Sequence, residues 1–152
     1  MGAAVSSVEL IAPAKLTLSL RITGVRSDGY HLIDAEMVSV ALSDTVRITE
    51  SSNTSLQISG PFAEGVPNDA SNIALRALAL ANRTAAVEIV KNIPHGGGLG
   101  GGSTDAATVL RWAGYTDLDS ASRIGADVPF CMVGGRARVR GIGEIVEPLP
   151  AN

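Results

Sequence analysis

The residues of this chain with the strongest chemical bias are the glycines from Gly96 to Gly102, which fill six of seven consecutive positions, Leu99 being the exception. Glycine loses more backbone entropy on folding than any other residue and packs nothing, so a run this dense needs a purpose. It lies between a strand-like stretch, Ala86-Val87-Glu88-Ile89-Val90, and a helix-like one, Ala106 to Trp112. Backbone amides with no Cβ atoms in the way, next to the unpaired N–H groups and positive dipole end of a helix, make a cradle for phosphate oxygens. A flexible linker would not be flanked by a strand and a capped helix. The lysine-containing phosphate loop is excluded as well, because Gly102 is followed directly by Ser103 and Thr104. Gly96, Gly98 and Gly101, with Asp119 downstream, match the dinucleotide-binding pattern only formally. Lys91 to His95, with Pro94 inside, separate the strand from the first glycine.

Further groups could act on an anion held there. Lys15 and Thr17 stand on one side of an alternating stretch, Lys15 to Ile22, whose other side is Leu16, Leu18, Leu20 and Ile22. That period belongs to a half-buried strand and predicts the three leucines and Ile22 facing the core, with Lys15 and Thr17 opposite. Taken alone, a lysine so placed is more often solvated than catalytic. Tyr30 and His31 follow a Ser27-Asp28-Gly29 turn; a flat ring beside a directional hydrogen bond can hold a base, although a tyrosine anchoring a loop to the core has the same appearance. Asp127 sits among small and apolar residues in Gly125-Ala126-Asp127-Val128-Pro129, ahead of an expected strand. A buried carboxylate without a partner is costly, so it needs a cation or donors nearby. Cys131, the single cysteine, lies between Phe130 and Met132 and reads as a buried structural thiol.

The elements that must position these groups follow from length and periodicity. A chain of 152 residues suits one domain, and 45% apolar content fills its core. Strands are expected over Lys15–Ile22, Ala35–Leu42, Asp44–Glu50, Leu56–Ile58 and Ala86–Val90. A helix is expected through Ile73, Leu75, Leu78 and Ala81, capped by Asn68, Asp69 or Ser71. The helix after the glycines carries Trp112 into the core, and a shorter piece starts at Asp119 or Ser120 and ends near Gly125. A last strand, glycine turn and strand run from Arg136 to Val146, with Arg136, Arg138 and Arg140 on one solvated face. The net charge of −3 argues against nucleic acid as a partner. No apolar stretch approaches a membrane span. The start of the sequence has no basic and apolar leader regions, so the cytoplasm is expected; Met1-Gly2 opens a loose match to the myristoylation pattern.

Three separated stretches together resemble one family. Pro13-Ala14-Lys15-Leu16 with Gly24-x-Arg26-x-Asp28-Gly29-Tyr30-His31, then Pro94-x-Gly96-Gly97-Gly98-Leu99-Gly100-Gly101-Gly102-Ser103, then Gly125-Ala126-Asp127-Val128-Pro129 with Gly141-Ile142-Gly143-Glu144, are similar to the motifs of the GHMP kinase superfamily. The Asp-Gly-Tyr-His and Gly-Ala-Asp-Val-Pro elements narrow the likeness to its kinases of 4-diphosphocytidyl-2-C-methyl-D-erythritol. The resemblance covers almost the whole chain and implies the α+β fold of a GHMP N-terminal domain. That is a mixed, mostly antiparallel sheet covered by helices, in the manner of ribosomal protein S5 domain 2, with the family's C-terminal domain absent.

It also implies transfer of the γ-phosphoryl of ATP, with Mg²⁺, to a hydroxyl of the cytidine-diphosphate-linked methylerythritol in non-mevalonate isoprenoid synthesis. By that likeness Asp127 accepts the proton of the substrate hydroxyl or orients it, and Lys15 contacts both and keeps Asp127 ionised. Tyr30 and His31 would hold the cytidine, with Thr17 beside the substrate. Gly96, Gly97, Gly98, Leu99, Gly100, Gly101 and Gly102, with Pro94, Ser103 and Thr104, would form the ATP phosphate loop. Asn72 and Lys91 would flank the nucleotide, and no metal ligand is assigned. Two positions depart from the family: Thr17 stands where asparagine is common, and His95 where small or apolar residues are. A nucleotide-binding domain that has lost catalysis is the alternative reading. A homodimer through an apolar face left by the second domain is a further expectation.

Overall fold

A computed structural model describes residues 6–150. The glycine of the myristoylation pattern lies outside the described residues. Six strands, β1 (Ser7–Val25), β2 (His31–Glu50), β3 (Ser55–Ser59), β4 (Ala85–Val90), β5 (Arg136–Gly141) and β6 (Ile145–Leu149), form one sheet. Four helices, α1 (Ile73–Leu80), α2 (Gly101–Trp112), α3 (Leu118–Ser122) and α4 (Val128–Val133), complete the α+β arrangement that the sequence predicts. The strand order is β3-β4-β2-β5-β6, with β1 paired to β2 along its length. Only the β3–β4 pair is parallel.

Alternation gives the sheet two unlike faces. Val46 and Ile48 of β2, Val87 and Ile89 of β4, and Ala137 and Val139 of β5 are buried against Ala74, Ala77 and Leu78 of α1, Val109 and Leu110 of α2, and Phe130 of α4. Small residues on α1 and α2 let the helices lie close to the sheet and to each other. The opposite face carries ion pairs. Arg136 grips Glu36 through two hydrogen bonds of 3.1 Å, and Arg138 grips Asp34 at 3.0 and 2.8 Å. The arginines therefore share the outer face, as their period of two predicts, each paired across strands rather than simply solvated.

The first strand differs from expectation. Leu16, Leu18, Leu20 and Ile22 are all exposed, at 42–60% of their full area. A bulge at Leu18 divides them between the two faces: Thr17 stands opposite Met37, but Ser19 stands opposite Glu36. One extra residue in a strand moves everything after it to the other face. Leu20 thus shares the face of Lys15 and Thr17, while Leu16 lies on the reverse. Leu18, the bulged residue itself, belongs to neither core. Leu18→Ser should therefore change stability by no more than about 0.5 kcal/mol, whereas Ile48→Ala should cost about 2–5 kcal/mol; paired urea titrations read both.

The expected second and third strands are one continuous strand, β2, because Asp44 is not a turn residue but is fully buried within it. Asp127 precedes a helix, α4, and not a strand; Pro129 sits in the first turn of that helix, where its missing N–H costs nothing. Helix α1 is capped by Asn72 instead of Asn68, Asp69 or Ser71. Trp112 is only partly buried, its ring covered by the guanidinium of Arg83 at 4.2 Å. Among the described residues, no helix is long and apolar enough to cross a membrane.

Candidate active site

Strand β4 delivers the chain to the glycine run and α2 carries it away. Gly100, at the N-cap of α2, has φ +69°, and a Cβ there would lie 3.0 Å from Lys15 Cγ. Only glycine allows both the left-handed backbone and the approach of the lysine stem. The Lys15 N–H donates to the Leu99 carbonyl at 2.9 Å, which ties the outer edge of β1 to the loop. No acidic residue occupies the first turn of α2, so its positive end is unopposed there. Above Gly96 and Gly98 nothing approaches within 4 Å of where a Cβ would be. A hollow of about 180 Å³ is lined by Lys91, Ile93, Pro94, His95, Gly96 and the stretch from Gly98 to Gly102. Among the described residues, none of the amides of Gly96, Gly98, Leu99 and Gly100 donates to another backbone carbonyl. A larger hollow of about 530 Å³ beside Glu50 and Arg83 is an open surface dish remote from these groups.

Lys15 and Asp127, 112 positions apart in the chain, meet with the lysine Nζ 3.2 Å from Asp127 Oδ2. The Lys15 side chain is 7% exposed and that of Asp127 31%, so the carboxylate faces the open side of the pair. Lys15 Nζ also donates to Thr17 Oγ1 at 2.9 Å, which fixes the ammonium between hydroxyl and carboxylate. Asp127 itself is held by the backbone around it. Gly143, at φ +125° in the β5–β6 turn, presses so closely on Ala126 that any Cβ would collide with the Ala126 carbonyl oxygen. Gly125 brings the same segment to the glycine loop, since a Cβ there would lie 3.6 Å from Ser103 Oγ. Lys15, Thr17, Asp127, Gly100 and Ser103 thus converge on one cleft.

Beneath the loop lies a second charged cluster. Lys91, 3% exposed, donates to Asp44 Oδ2 at 2.6 Å and to Asp105 Oδ2 at 2.7 Å. Asp44 Oδ1 accepts the backbone N–H groups of Asn92 and Ile93 at 2.7 and 2.9 Å, pinning the chain that leads into the glycines. Burial alone would lower the Lys91 pKa, but Asp105 and Asp44 outweigh it and the ammonium is raised above the ordinary lysine range. Asp105 is pushed well above the aspartate range, chiefly by burial and then by a hydrogen bond with Asp44, Lys91 opposing both.

Tyr30 and His31 stand elsewhere, exposed where the β1–β2 hairpin turns. Asp28 Oδ1 accepts the Tyr30 N–H at 3.2 Å while Arg26 pairs with Asp28 and lies 5.5 Å from the Tyr30 ring centroid. The tyrosine is thus displayed outward by the turn and is not an anchor to the core. Asn72 is engaged as a cap, its Oδ1 accepting from Ala74 N and its Nδ2 donating to the Pro67 carbonyl. The next residue, Ile73, packs 3.7 Å from where a Gly102 Cβ would be. His95 Nε2 bonds the Phe62 carbonyl at 2.7 Å, fastening the 60s loop to the rim of the glycine run. Cys131 is buried and its thiol is pushed up to about 12, by burial above all. Native protein should accordingly resist iodoacetamide near neutral pH, with mass spectrometry showing alkylation only after unfolding.

The sequence reading missed Asp44 and Asp105. Both look like ordinary polar residues, Asp44 next to Ser43 like a turn and Asp105 like a helix-starting acid. A signal was present in β2, where an acid interrupts a run of apolar residues and would need a cation, the argument already applied to Asp127.

Comparison with known proteins bears on this arrangement. The profile of the GHMP kinases N terminal domain matches residues 70–135. A 4-diphosphocytidyl-2-C-methyl-D-erythritol kinase from Paracoccus denitrificans is 48% identical over 144 residues, which are 92% of this chain and 50% of that protein. One from a Jannaschia species is 43% identical over 91% of this chain and 52% of its own length. The chain spans about half the length of the curated relatives it matches. A crystal structure of 4-(cytidine 5'-diphospho)-2C-methyl-D-erythritol kinase superposes with a TM-score of 0.70 at 36% identity, over 93% of this chain and 55% of that one. Mevalonate kinase from Methanococcus jannaschii shares the fold at 14% identity and a TM-score of 0.58, over 96% of this chain and 56% of that one.

Proposed function

We propose that the chain is the N-terminal domain of a GHMP kinase and, from that premise, that it serves ATP-dependent phosphorylation of a hydroxyl of 4-diphosphocytidyl-2-C-methyl-D-erythritol, in the cytoplasm. The observation that carries this reading is the pairing of Lys15 with Asp127 at 3.2 Å beside the glycine loop. Free amides and a helix N-terminus suit the oxygens of a triphosphate. Mg²⁺ accompanying the nucleotide would screen the charge of the phosphates; among the described residues no group of three or more His, Cys, Asp or Glu is gathered.

The chain's own residues then divide the work. Asp127, partly open, accepts the proton of the substrate hydroxyl or orients that hydroxyl toward the phosphoryl group. Lys15, drawn in by Thr17, faces the Asp127 carboxylate at 3.2 Å and offsets negative charge that develops between hydroxyl and phosphoryl. Thr17 does this from the position where the family commonly has asparagine, its hydroxyl accepting from the ammonium. Tyr30 supplies a face for the cytosine ring and His31 a hydrogen bond. The test is ADP formation by the chain with ATP, Mg²⁺ and the cytidine-diphosphate substrate. Turnover that requires the substrate supports the kinase reading; tight ADP binding without turnover favours a nucleotide-binding domain, and absence of both overturns the reading.

A further inference from the structure

Asp44, Lys91 and Asp105 place two carboxyls on one ammonium, all three at most 3% exposed. If every group were ionised, the cluster would carry a net negative charge, buried under the loop that is to receive phosphates. Lys91 Nζ lies 3.1 Å from where a Gly101 Cβ would be, so the cluster touches the first turn of α2 directly and helps line the hollow. The bonding is also unequal. Asp44 uses both oxygens, with three donors between them, whereas Asp105 accepts on Oδ2 alone and its buried Oδ1 has no partner. An orphaned carboxylate oxygen in such a place is costly, and a protonated acid removes the cost by becoming a donor.

We infer that Asp105 is carried as a neutral carboxylic acid in the folded protein, accepting from Lys91 and donating to Asp44, and that this keeps the floor of the phosphate loop from turning negative. Asp105 is then a positioning residue acting through Lys91; the second half of the inference rests on the nucleotide-binding reading above. Among the described residues, the only buried charge besides these three is Lys15. Helix α1, packed on α2, buries only Ala74, Ala77 and Leu78. From β1 the ionisable group is Lys15, itself paired with Asp127, and from α4 it is Cys131, a buried thiol. The direction of the Asp105 shift agrees with this geometry.

Two consequences follow from a proton held in the folded state but not in the unfolded one. Below the ordinary aspartate range Asp105 is neutral in both states and contributes no pH dependence. Above that range the unfolded chain releases the proton and the folded one keeps it, so stability falls as pH rises until the folded group ionises. Asparagine mimics the neutral acid, accepting from Lys91 and donating to Asp44. Asp105→Asn should therefore become more stable than the parent chain as pH rises.

The experiment is a pH titration of the chain labelled with ¹³C at the aspartate carboxyls, alongside Asp105→Asn. One resonance, missing in Asp105→Asn, should keep the protonated position throughout the ordinary aspartate range and move only well above it. A resonance that titrates near pH 4, the ordinary aspartate value, overturns the neutral acid. ADP titrations over the same range test the second half. The parent chain should lose about tenfold in affinity as pH passes the midpoint of that resonance, and Asp105→Asn should not. Equal pH dependence in both overturns the role in charge control. If neither protein binds ADP at any pH, the nucleotide reading and the charge-control half fall together, and the carboxyl titration still decides where the proton is.

Discussion

If the proposed kinase function holds, Asp127→Asn should abolish most phosphoryl transfer, with kcat expected to fall by about a thousandfold, within the range that a lost general base costs. The amide keeps the shape of the carboxylate and can still accept a hydrogen bond from Lys15, so the cleft should remain assembled. What it cannot do is take a proton from the substrate hydroxyl or carry the negative charge that the Lys15 ammonium now faces at 3.2 Å. The Gly96 to Gly102 amides and the α2 N-terminus do not touch Asp127 side-chain oxygens, so ADP affinity should change by less than about threefold, about 0.6 kcal/mol. Stability should barely move, because a pair with one partner a third exposed is well screened. Steady-state kinetics beside ADP titration separates the outcomes. If kcat falls less than about tenfold, Asp127 does not act as the base.

The largest loss of stability should come from Lys91→Met. The thioether fills the space of the lysine stem but leaves two buried carboxyls facing each other without their shared cation. Breaking a buried ion pair from one side costs about 3–5 kcal/mol, and for a domain of this size that corresponds to a Tm lower by roughly 10 °C. Asp44 loses less than Asp105, since it keeps the N–H groups of Asn92 and Ile93. Arg138→Met is the contrast: its partner Asp34 lies on the outer face and the arginine is 47% exposed, so removing it should cost no more than about 1 kcal/mol. Calorimetry on the two variants checks this, and equal losses would mean that the cluster under the loop is not the stronger constraint.

How far the amino-acid sequence could be read differs from residue to residue, and the differences have causes. The tight loop of Gly96 to Gly102 leading from β4 into α2 was legible because so dense a glycine run beside a strand-like and a helix-like stretch has few physical uses. The need of Asp127 for a cation was legible because a carboxylate among apolar neighbours must be compensated. Motif likeness supplied Lys15 as that cation, and the fold then put the two 3.2 Å apart. Alternation likewise foretold the shared outer face of Arg136, Arg138 and Arg140 in β5, where the period of two is unbroken.

Alternation misled in β1, where the bulge at Leu18 shifts the register by one and sends the leucines to different faces. A bulge leaves no mark in hydrophobicity, because it is decided by which residue of β2 each position meets. Asp44 and Asp105 stayed unread for a related reason: each looks like an ordinary surface acid until β2, the end of β4 and α2 are brought together around Lys91. The residues by themselves therefore determined which backbone could hold an anion, which acid needed a partner, and the α+β plan. Only the tertiary structure decided which distant groups share a charge, because electrostatic energies of buried groups depend on separation and desolvation, and neither exists until the chain has folded.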